Sequence, residues 1–186
     1  MTAHPTDGLE ARALEWIAPY WNARHLVRTR DWVLELDPDA SQALRLAALT
    51  HDIERHFPDG PTGEPGDPSY ERAHAERSAS IVADWLTAEG AAPELVDAVR
   101  ELVRAHEEGG SPEADLLQAA DSLSFLEVNV ERPIAWVREG RCDLATAKAR
   151  LRHLRDRIKV PAAQRAAVPL SAEAERRLLR ASPGTP

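Results

Sequence analysis

The sequence contains very little cysteine and no long apolar segment. Cys142 is the only cysteine among the 186 residues, so an intramolecular disulfide is excluded. No run of about 18 apolar residues occurs, and a transmembrane helix is therefore not expected. The first five residues, Met1 to Pro5, lack the basic and apolar regions of a secretory signal. These absences predict a cytoplasmic protein that does not associate with membranes.

Strand signals are also nearly missing, because no segment alternates between β-branched or aromatic residues and polar ones. The hydrophobic content of 43% is that of a globular chain, and the net charge of -8 argues against broad nucleic-acid binding. We therefore predict an all-α protein that folds as a single compact helical bundle over residues 1–186. Its core would cover about residues 20–130, followed by C-terminal helices and a tail at 131–186. The oligomeric state stays open, and a homo-oligomer is compatible with the sequence.

Apolar residues recur with helical spacing through most of the chain. Ser41 is suited to cap the third helix, in which Leu44, Ala47, Ala48 and His51 share one face. A loop rich in proline and glycine at 58–69 is either a surface connection or a mobile lid. The predicted helices cover residues 8–18, 20–36, 41–55, 70–88, 93–107, 112–127, 133–139 and 143–158, with a polar segment at 171–180.

Several of these helices carry a histidine or an aspartate near their apolar side. Imidazole and carboxylate groups are common ligands of divalent cations, and a set of six could hold one or two ions. Asp121 lies in a segment poor in lysine and arginine, where a buried carboxylate would need a cation. The six candidates, in chain order, are His25, His51, Asp52, His74, His106 and Asp121.

The adjacent His51 and Asp52 project about 100° apart on a helix, so both reach a metal centre only at a helix end or kink. Asp52 is a candidate for a ligand that bridges two ions. One ion would then be bound by His25, His51 and Asp121, and the other by the two remaining histidines, His74 and His106.

The order of these residues resembles that of the HD-domain superfamily of metal-dependent phosphohydrolases. The segment Leu49-Thr50-His51-Asp52-Ile53 looks like the core motif of that superfamily. His74 and His106 resemble the additional ligands of its binuclear branch. The segments around His106 and Asp121, Arg104-Ala105-His106-Glu107 and Ala120-Asp121-Ser122-Leu123, look like its later motifs. Glu54 departs from the pattern, because glycine is common there in the superfamily.

The resemblance implies an HD-type helical fold and an enzyme that hydrolyses phosphoric ester or anhydride bonds. Its cofactor would be one or two divalent ions (Fe, Mn, Co or Mg) that lower the pKa of water and supply a hydroxide. The substrate would be a small phosphorylated metabolite or a nucleotide. Asp52 and Glu54 would be catalytic residues, with Glu107 as a further proton shuttle. Three arginines, Arg28, Arg55 and Arg77, are the candidates for binding phosphate.

Two other functions fit the same residues. One branch of the superfamily resembles this pattern and comprises mixed-valent di-iron oxygenases, in which Tyr20 or Tyr70 would cover an iron. A metal-stabilised helical domain that binds or regulates without catalysis is the third hypothesis. Phosphate release, oxygen uptake and the effect of removing His51 or Asp52 distinguish the three.

Overall fold

A computed structural model describes residues 8–63 and 67–181, and this part of the chain is helical with no strands. The all-α prediction is confirmed. The α-helices are α1 (Gly8–Ile17), α2 (Ala23–Leu36), α3 (Gln42–Thr50), α4 (Pro68–Ala88), α5 (Pro93–Ala105), α6 (Pro112–Ser124), α7 (Glu131–Arg138), α8 (Leu144–Asp156) and α9 (Pro161–Ala181). A 3₁₀ turn, Ile53–His56, follows α3, and a π-helical segment, Phe125–Asn129, follows α6. No helix in these two ranges combines the length and the apolar character needed to cross a bilayer.

The helix starts follow the capping chemistry of the sequence. The Ser41 side chain accepts a hydrogen bond from the backbone N–H of Leu44, which confirms the predicted cap of α3. Ser111 and Asp143 cap α6 and α8 in the same way. Asp67 caps α4, which begins at Pro68 rather than at residue 70.

Helix α3 ends earlier than the sequence predicts, at Thr50 instead of residue 55. Asp52 has φ -105° and ψ 21°, outside the helical region. The N–H of Glu54 donates to the Ser78 hydroxyl of α4 at 3.3 Å instead of continuing the helix. His51 and Asp52 therefore lie at a helix end, as the metal-site prediction requires.

The C-terminal helix is longer than predicted, because α9 begins at Pro161 and passes through Pro169. Proline removes one N–H from a helix and frees the carbonyl four residues before it. Pro169 and Arg165 are both exposed, so water can bond to that carbonyl. The opposite face of α9 is buried and apolar, and it packs the helix onto the bundle through Ala163, Ala167, Ala174 and Leu178. The predicted frayed tail after residue 182 lies outside the described residues.

Two apolar clusters form the interior. The first is built from α1 to α6, and the second from α6 to α9 with the π-helical segment. Helix α6 belongs to both, because Leu117 and Ala120 face the first cluster while Ala119 and Leu123 face the second. Trp32 of α2 packs against both clusters. Three of the ligand candidates, His25, His51 and Asp121, lie where α2, α3 and α6 meet, since α2 contacts both of the other helices.

Candidate metal centre

The structure brings all six predicted ligands together as two groups of three. His25, His51 and Asp121 form the first triad, and Asp52, His74 and His106 form the second triad. Within each triad the ligand atoms lie within 4.8 Å of one another. Each group could hold one metal ion. This division agrees with the sequence prediction, with Asp52 placed beside His74 and His106; its role as a bridging ligand stays a prediction.

The first triad is held by helices α2, α3 and α6. Nε2 of His25 lies 3.1 Å from Oδ1 of Asp121, and Nε2 of His51 lies 3.4 Å from the same oxygen. All three residues are buried. The three side chains therefore converge on one point, although they come from widely separated parts of the sequence.

The second triad lies between the end of α3, helix α4 and the end of α5. Nε2 of His74 is 2.7 Å from Oδ1 of Asp52. The rings of the two triads are in contact, because the ring centroids of His51 and His106 are 5.1 Å apart. The two groups are thus neighbours in a continuous cluster of imidazoles.

Each of the four histidines uses Nδ1 for a hydrogen bond to oxygen. The partners are the backbone carbonyl of Ala48 for His51 at 3.1 Å and that of Val103 for His106 at 2.6 Å. A carbonyl only accepts, so Nδ1 carries the proton in these two rings and Nε2 keeps its lone pair. His25 bonds to the Ser124 hydroxyl, and His74 to the Glu54 carboxylate. Partners of this kind fix the tautomer and the orientation of metal-binding histidines.

One atom supports the fit to a metal directly. Nε2 of His51 is fully buried and has no hydrogen-bond partner in the described part of the chain. A buried polar atom without a partner costs free energy. A divalent cation between His25, His51 and Asp121 would satisfy this atom, and a donor set of imidazole and carboxylate suits Zn, Fe, Mn or Co.

Arginines hold the outer oxygens of both aspartates. Nε of Arg55 donates to Oδ2 of Asp52 at 2.9 Å, and Arg157 donates to Oδ2 of Asp121. In each case Oδ1 faces the histidines of the triad. The expectation that Asp121 lacks a cationic partner is wrong: its own segment contains no arginine, but Arg157 reaches it from the end of α8.

Charge in the cluster shifts the pKa values of its members. Burial alone would raise the pKa of Asp52, but Arg55 and His74 lower it well below its usual value. Burial would also raise the pKa of Asp121, which Arg157, His25 and His51 lower strongly. Burial opposes the charging of His74, yet hydrogen bonds to Asp52 and Glu54 raise its pKa to about 9. Both aspartates are therefore ionised and able to act as ligands at neutral pH.

The triads open into a pocket of about 450 Å³. His25, Asp52 and Asp121 line it, so each triad presents at least one ligand to the pocket. The wall is rich in arginine although the protein is acidic overall. These arginines are Arg55, Arg72, Arg132, Arg141, Arg150 and Arg157.

Of the three arginines predicted to bind phosphate, the structure places Arg55 in the pocket wall and the other two elsewhere. Arg28 pairs with Glu127 and Glu35, both at 2.6 Å. Arg77 donates to the carbonyl of Pro58 and lies 3.8 Å from Glu54. Neither lines the pocket. Arg28 lies one turn after His25 on α2, and Arg77 lies one turn after His74 on α4. Their contacts with Glu127, Glu35, Pro58 and Glu54 hold both side chains away from the pocket.

The two predicted proton shuttles lie on different sides of the ligands. Glu54 is buried, bonds to Nδ1 of His74 at 2.7 Å and does not line the pocket. Glu107 does line the pocket, with Oε1 3.3 Å from Nε2 of His106 and Oε2 2.6 Å from Arg157. Glu54 therefore orients a ligand, whereas Glu107 faces the space that a substrate would occupy.

Several residues of the site were not found from the sequence. The sequence places Ser124 on the same face of its helix as Asp121, but its hydrogen bond to His25 was not predicted. Arg132 and Trp136 are four residues apart, with the guanidinium 5.6 Å from the ring centroid, which is a recognisable helical pair. Arg150 and Arg157 have no local signal, because only the packing of α8 brings them to the pocket.

Comparison with known proteins identifies a family but no characterised relative. Curated proteins and solved structures yield no significant match to this chain. The model of the family described as a domain of unknown function, DUF4202, matches residues 10–139. This range includes all six ligand candidates and ends before Arg150 and Arg157. Since the match covers well over half of the sequence, the chain belongs to the DUF4202 family.

Proposed function

We propose that this protein is a metal-dependent phosphohydrolase that acts on a small phosphorylated metabolite or a nucleotide. The observation that carries the proposal is the opening of two adjacent His/His/Asp triads into one pocket lined by arginines. Metal ligands and guanidinium groups on the same wall suit a phosphate group, which carries negative charge on several oxygens. The likeness of the ligand order to the HD-domain superfamily supports the same reaction class.

The first triad would hold one divalent ion and the second triad another. Divalent ions in such a site make water acidic enough to ionise near neutral pH and neutralise charge on phosphoryl oxygens. The protein's own residues orient the ligands: Arg55 and Arg157 fix the two aspartates, while Glu54 and Ser124 fix His74 and His25.

The pocket-lining residues would bind the substrate and move its protons. Arg55 also donates to the Tyr70 hydroxyl at 3.2 Å, so its guanidinium is held at the pocket wall beside Asp52. Glu107 is the better placed of the two to accept a proton, because it faces the pocket and Glu54 does not, but the effect of burial is outweighed by His106 and Arg157, which lower the pKa of Glu107 and make it a weaker base. Access to the reacting group comes first in choosing a general base.

The test is phosphate release by purified protein loaded with Mn²⁺, Fe²⁺, Co²⁺ or Mg²⁺, measured over a panel of phosphate esters and nucleotides. We expect turnover with at least one metal and its loss in His51→Ala and Asp52→Asn. Asp97→Asn, at an exposed position of α5, is the matched control and should keep full activity. Absence of turnover with every metal across the panel would contradict the proposal.

A di-iron oxygenase is the second candidate, and the position of Tyr70 is the observation that favours it. The Tyr70 ring stacks beside His74 with centroids 6.4 Å apart, so it lies next to the second triad. Iron-loaded, partly reduced protein would then consume oxygen and show an Fe(II)/Fe(III) EPR signal. Oxygen uptake without phosphate release would replace the hydrolase proposal.

A further inference from the structure

The arginines of the pocket differ in whether a carboxylate neutralises them. Arg55 and Arg157 pair with the ligand aspartates. Arg72 lies 3.7 Å from Glu108, and Arg141 lies 3.5 Å from Glu139. Arg132 and Arg150 have no ion pair and no hydrogen bond with any residue of 8–63 or 67–181. Both lie in the pocket wall, where Asp52, Glu71 and Glu107 are the carboxylates that act on them from a distance, so the pocket contains two guanidinium groups whose charge no directly paired carboxylate neutralises.

Aromatic rings hold these two arginines in place instead. The Arg132 guanidinium lies 4.0 Å from the centroid of the Trp21 ring and 5.6 Å from that of Trp136. The Arg150 guanidinium lies 5.7 Å from the Phe125 ring centroid. Stacking uses the face of a guanidinium and leaves the N–H donors at its edge free. Both side chains are therefore positioned without spending their hydrogen bonds.

One of the free donors is inaccessible to bulk water. Nε of Arg150 is buried and has no partner in the described chain. Burial and the neighbouring arginines, Arg55 among them, also lower the pKa of both Arg132 and Arg150, and they outweigh the opposing effect of Asp52 on Arg132 and of Glu71 and Glu107 on Arg150. Such an arrangement costs free energy in the absence of a ligand, and an anion would relieve it. Phosphate matches the planar fork of arginine and accepts several hydrogen bonds.

We infer that Arg132 and Arg150 bind a second phosphate of the substrate, so that the substrate carries at least two phosphate groups. The first phosphate would lie at the triads, where Arg55 and Arg157 are already engaged by Asp52 and Asp121. A diphosphate and a bisphosphate ester share the required chemistry. The inference rests on the proposed function for the phosphate that is cleaved, but the binding of the second phosphate does not depend on turnover.

Equilibrium binding to the metal-free, full-length protein tests the inference without using activity. Calorimetry in the presence of EDTA would measure the Kd of pyrophosphate, of a hexose bisphosphate and of orthophosphate. We expect the double variant Arg132→Gln/Arg150→Gln to weaken pyrophosphate or bisphosphate binding by at least about tenfold, since two charge-assisted hydrogen-bonding groups are lost. Tighter binding of pyrophosphate would indicate that the two phosphates of the substrate are adjacent. Tighter binding of the hexose bisphosphate would indicate that they are separated.

Arg152→Gln is the matched control, because it removes one positive charge from an exposed position of the same helix as Arg150. Its Kd values should stay within about twofold of the parent. Arg150→Lys keeps the charge but not the fork, and it should weaken binding less than Arg150→Gln. Thermal unfolding of each variant establishes that it is folded before binding is compared.

The results separate this inference from the proposed function. Anion binding that is weakened in the double variant supports the inference even if no substrate is hydrolysed. If the parent and the folded double variant bind pyrophosphate with the same Kd, and likewise bind the bisphosphate with the same Kd, the inference is overturned. This holds whether or not the protein releases phosphate. In a protein that does turn over, kcat/KM should also favour substrates with two phosphates, and the double variant should lose that preference.

Discussion

Arg157 is the residue that most changes the electrostatics of the candidate site. It lies between Asp121 and Glu107 and donates to both, and its Nε donates to the Ser122 hydroxyl at 2.8 Å. The arginine is nearly buried, with 10% of its side chain exposed. Because the two carboxylates are also shielded from water, the guanidinium compensates charge that would otherwise be very unfavourable.

Replacing Arg157 should therefore destabilise the protein, and a metal should restore part of the loss. In Arg157→Met the free energy of unfolding in EDTA should fall by about 3 kcal/mol, since a buried ion pair loses one partner. Added Mn²⁺ would neutralise Asp121 at Oδ1, the oxygen that faces the histidines. The difference in the free energy of unfolding between Arg157→Met and the parent should therefore be smaller with Mn²⁺ than in EDTA. Urea unfolding with and without Mn²⁺ measures both effects.

The control for this experiment is Arg152→Met, which removes an exposed arginine from α8 and should change stability by less than about 0.5 kcal/mol. An equal loss of stability in Arg157→Met with and without Mn²⁺ would show that the metal does not bind at Asp121. An unchanged stability in EDTA would contradict the charge-compensation argument itself.

At this scale the sequence predicts which candidate ligands come together better than it predicts the residues that hold them in place. His51 is recognisable because it follows Leu44, Ala47 and Ala48 on one face of a helix, and all four are buried in the structure. The ion pair between Arg157 and Asp121 joins residues 36 positions apart. Helical periodicity gives the face of each residue but not which face of another helix it meets, so this contact could not be predicted.

At the scale of single elements, the helix ends decide which residues reach the pocket. Apolar spacing predicts that the third helix runs to residue 55, whereas the metal-site hypothesis requires a helix end or kink at His51 and Asp52. The structure ends α3 at Thr50, since the N–H of Glu54 bonds to Ser78 of α4. Hydrogen bonds to a distant helix are not encoded in local spacing, so helix ends are predicted less well than helix interiors.

The turn between α5 and α6 is a second element whose geometry is set by a few residues. Gly109 has φ +70°, and a Cβ there would overlap Oδ1 of Asp115. This oxygen accepts hydrogen bonds from the N–H of Gly110 and from Lys159, both at 2.9 Å. The contact ties the turn to the residues that precede α9.

Gly109→Ala should destabilise the protein more than a glycine replacement that only strains the backbone. A positive φ costs an alanine about 1–2 kcal/mol. Displacing Asp115 should cost about a further 1 kcal/mol through its lost hydrogen bonds. Gly90→Ala is the matched control, because Gly90 has φ +74° and a methyl group added there would meet nothing within 4 Å. Equal free energies of unfolding for the two variants, measured in urea, would contradict a role for the Asp115 contact.

At the scale of the whole molecule, helix α6 joins the two apolar clusters. Ala120 packs in the first cluster and Ala119 in the second. Detaching α6 would therefore expose both clusters to water. Asp121 follows directly on the same helix and is held by Arg157 of the C-terminal part. The candidate metal centre thus lies at the junction of the two halves. Such long-range packing could not be predicted from the sequence, which indicates only that the chain is helical and large enough for one domain.

Metal binding at this junction should stabilise both halves together. A ligand that binds only the folded protein at one hundred times its Kd contributes about 2.7 kcal/mol, or a Tm increase of about 5–10 °C for a domain of this size. Scanning calorimetry should show one transition that moves upward as a whole when Mn²⁺ is added. The transition of His51→Ala should move much less, because the first triad has lost a ligand. Two transitions of which only one responds to the metal would contradict the coupling, since α6 and the Arg157–Asp121 contact would then not bind the halves into one unit.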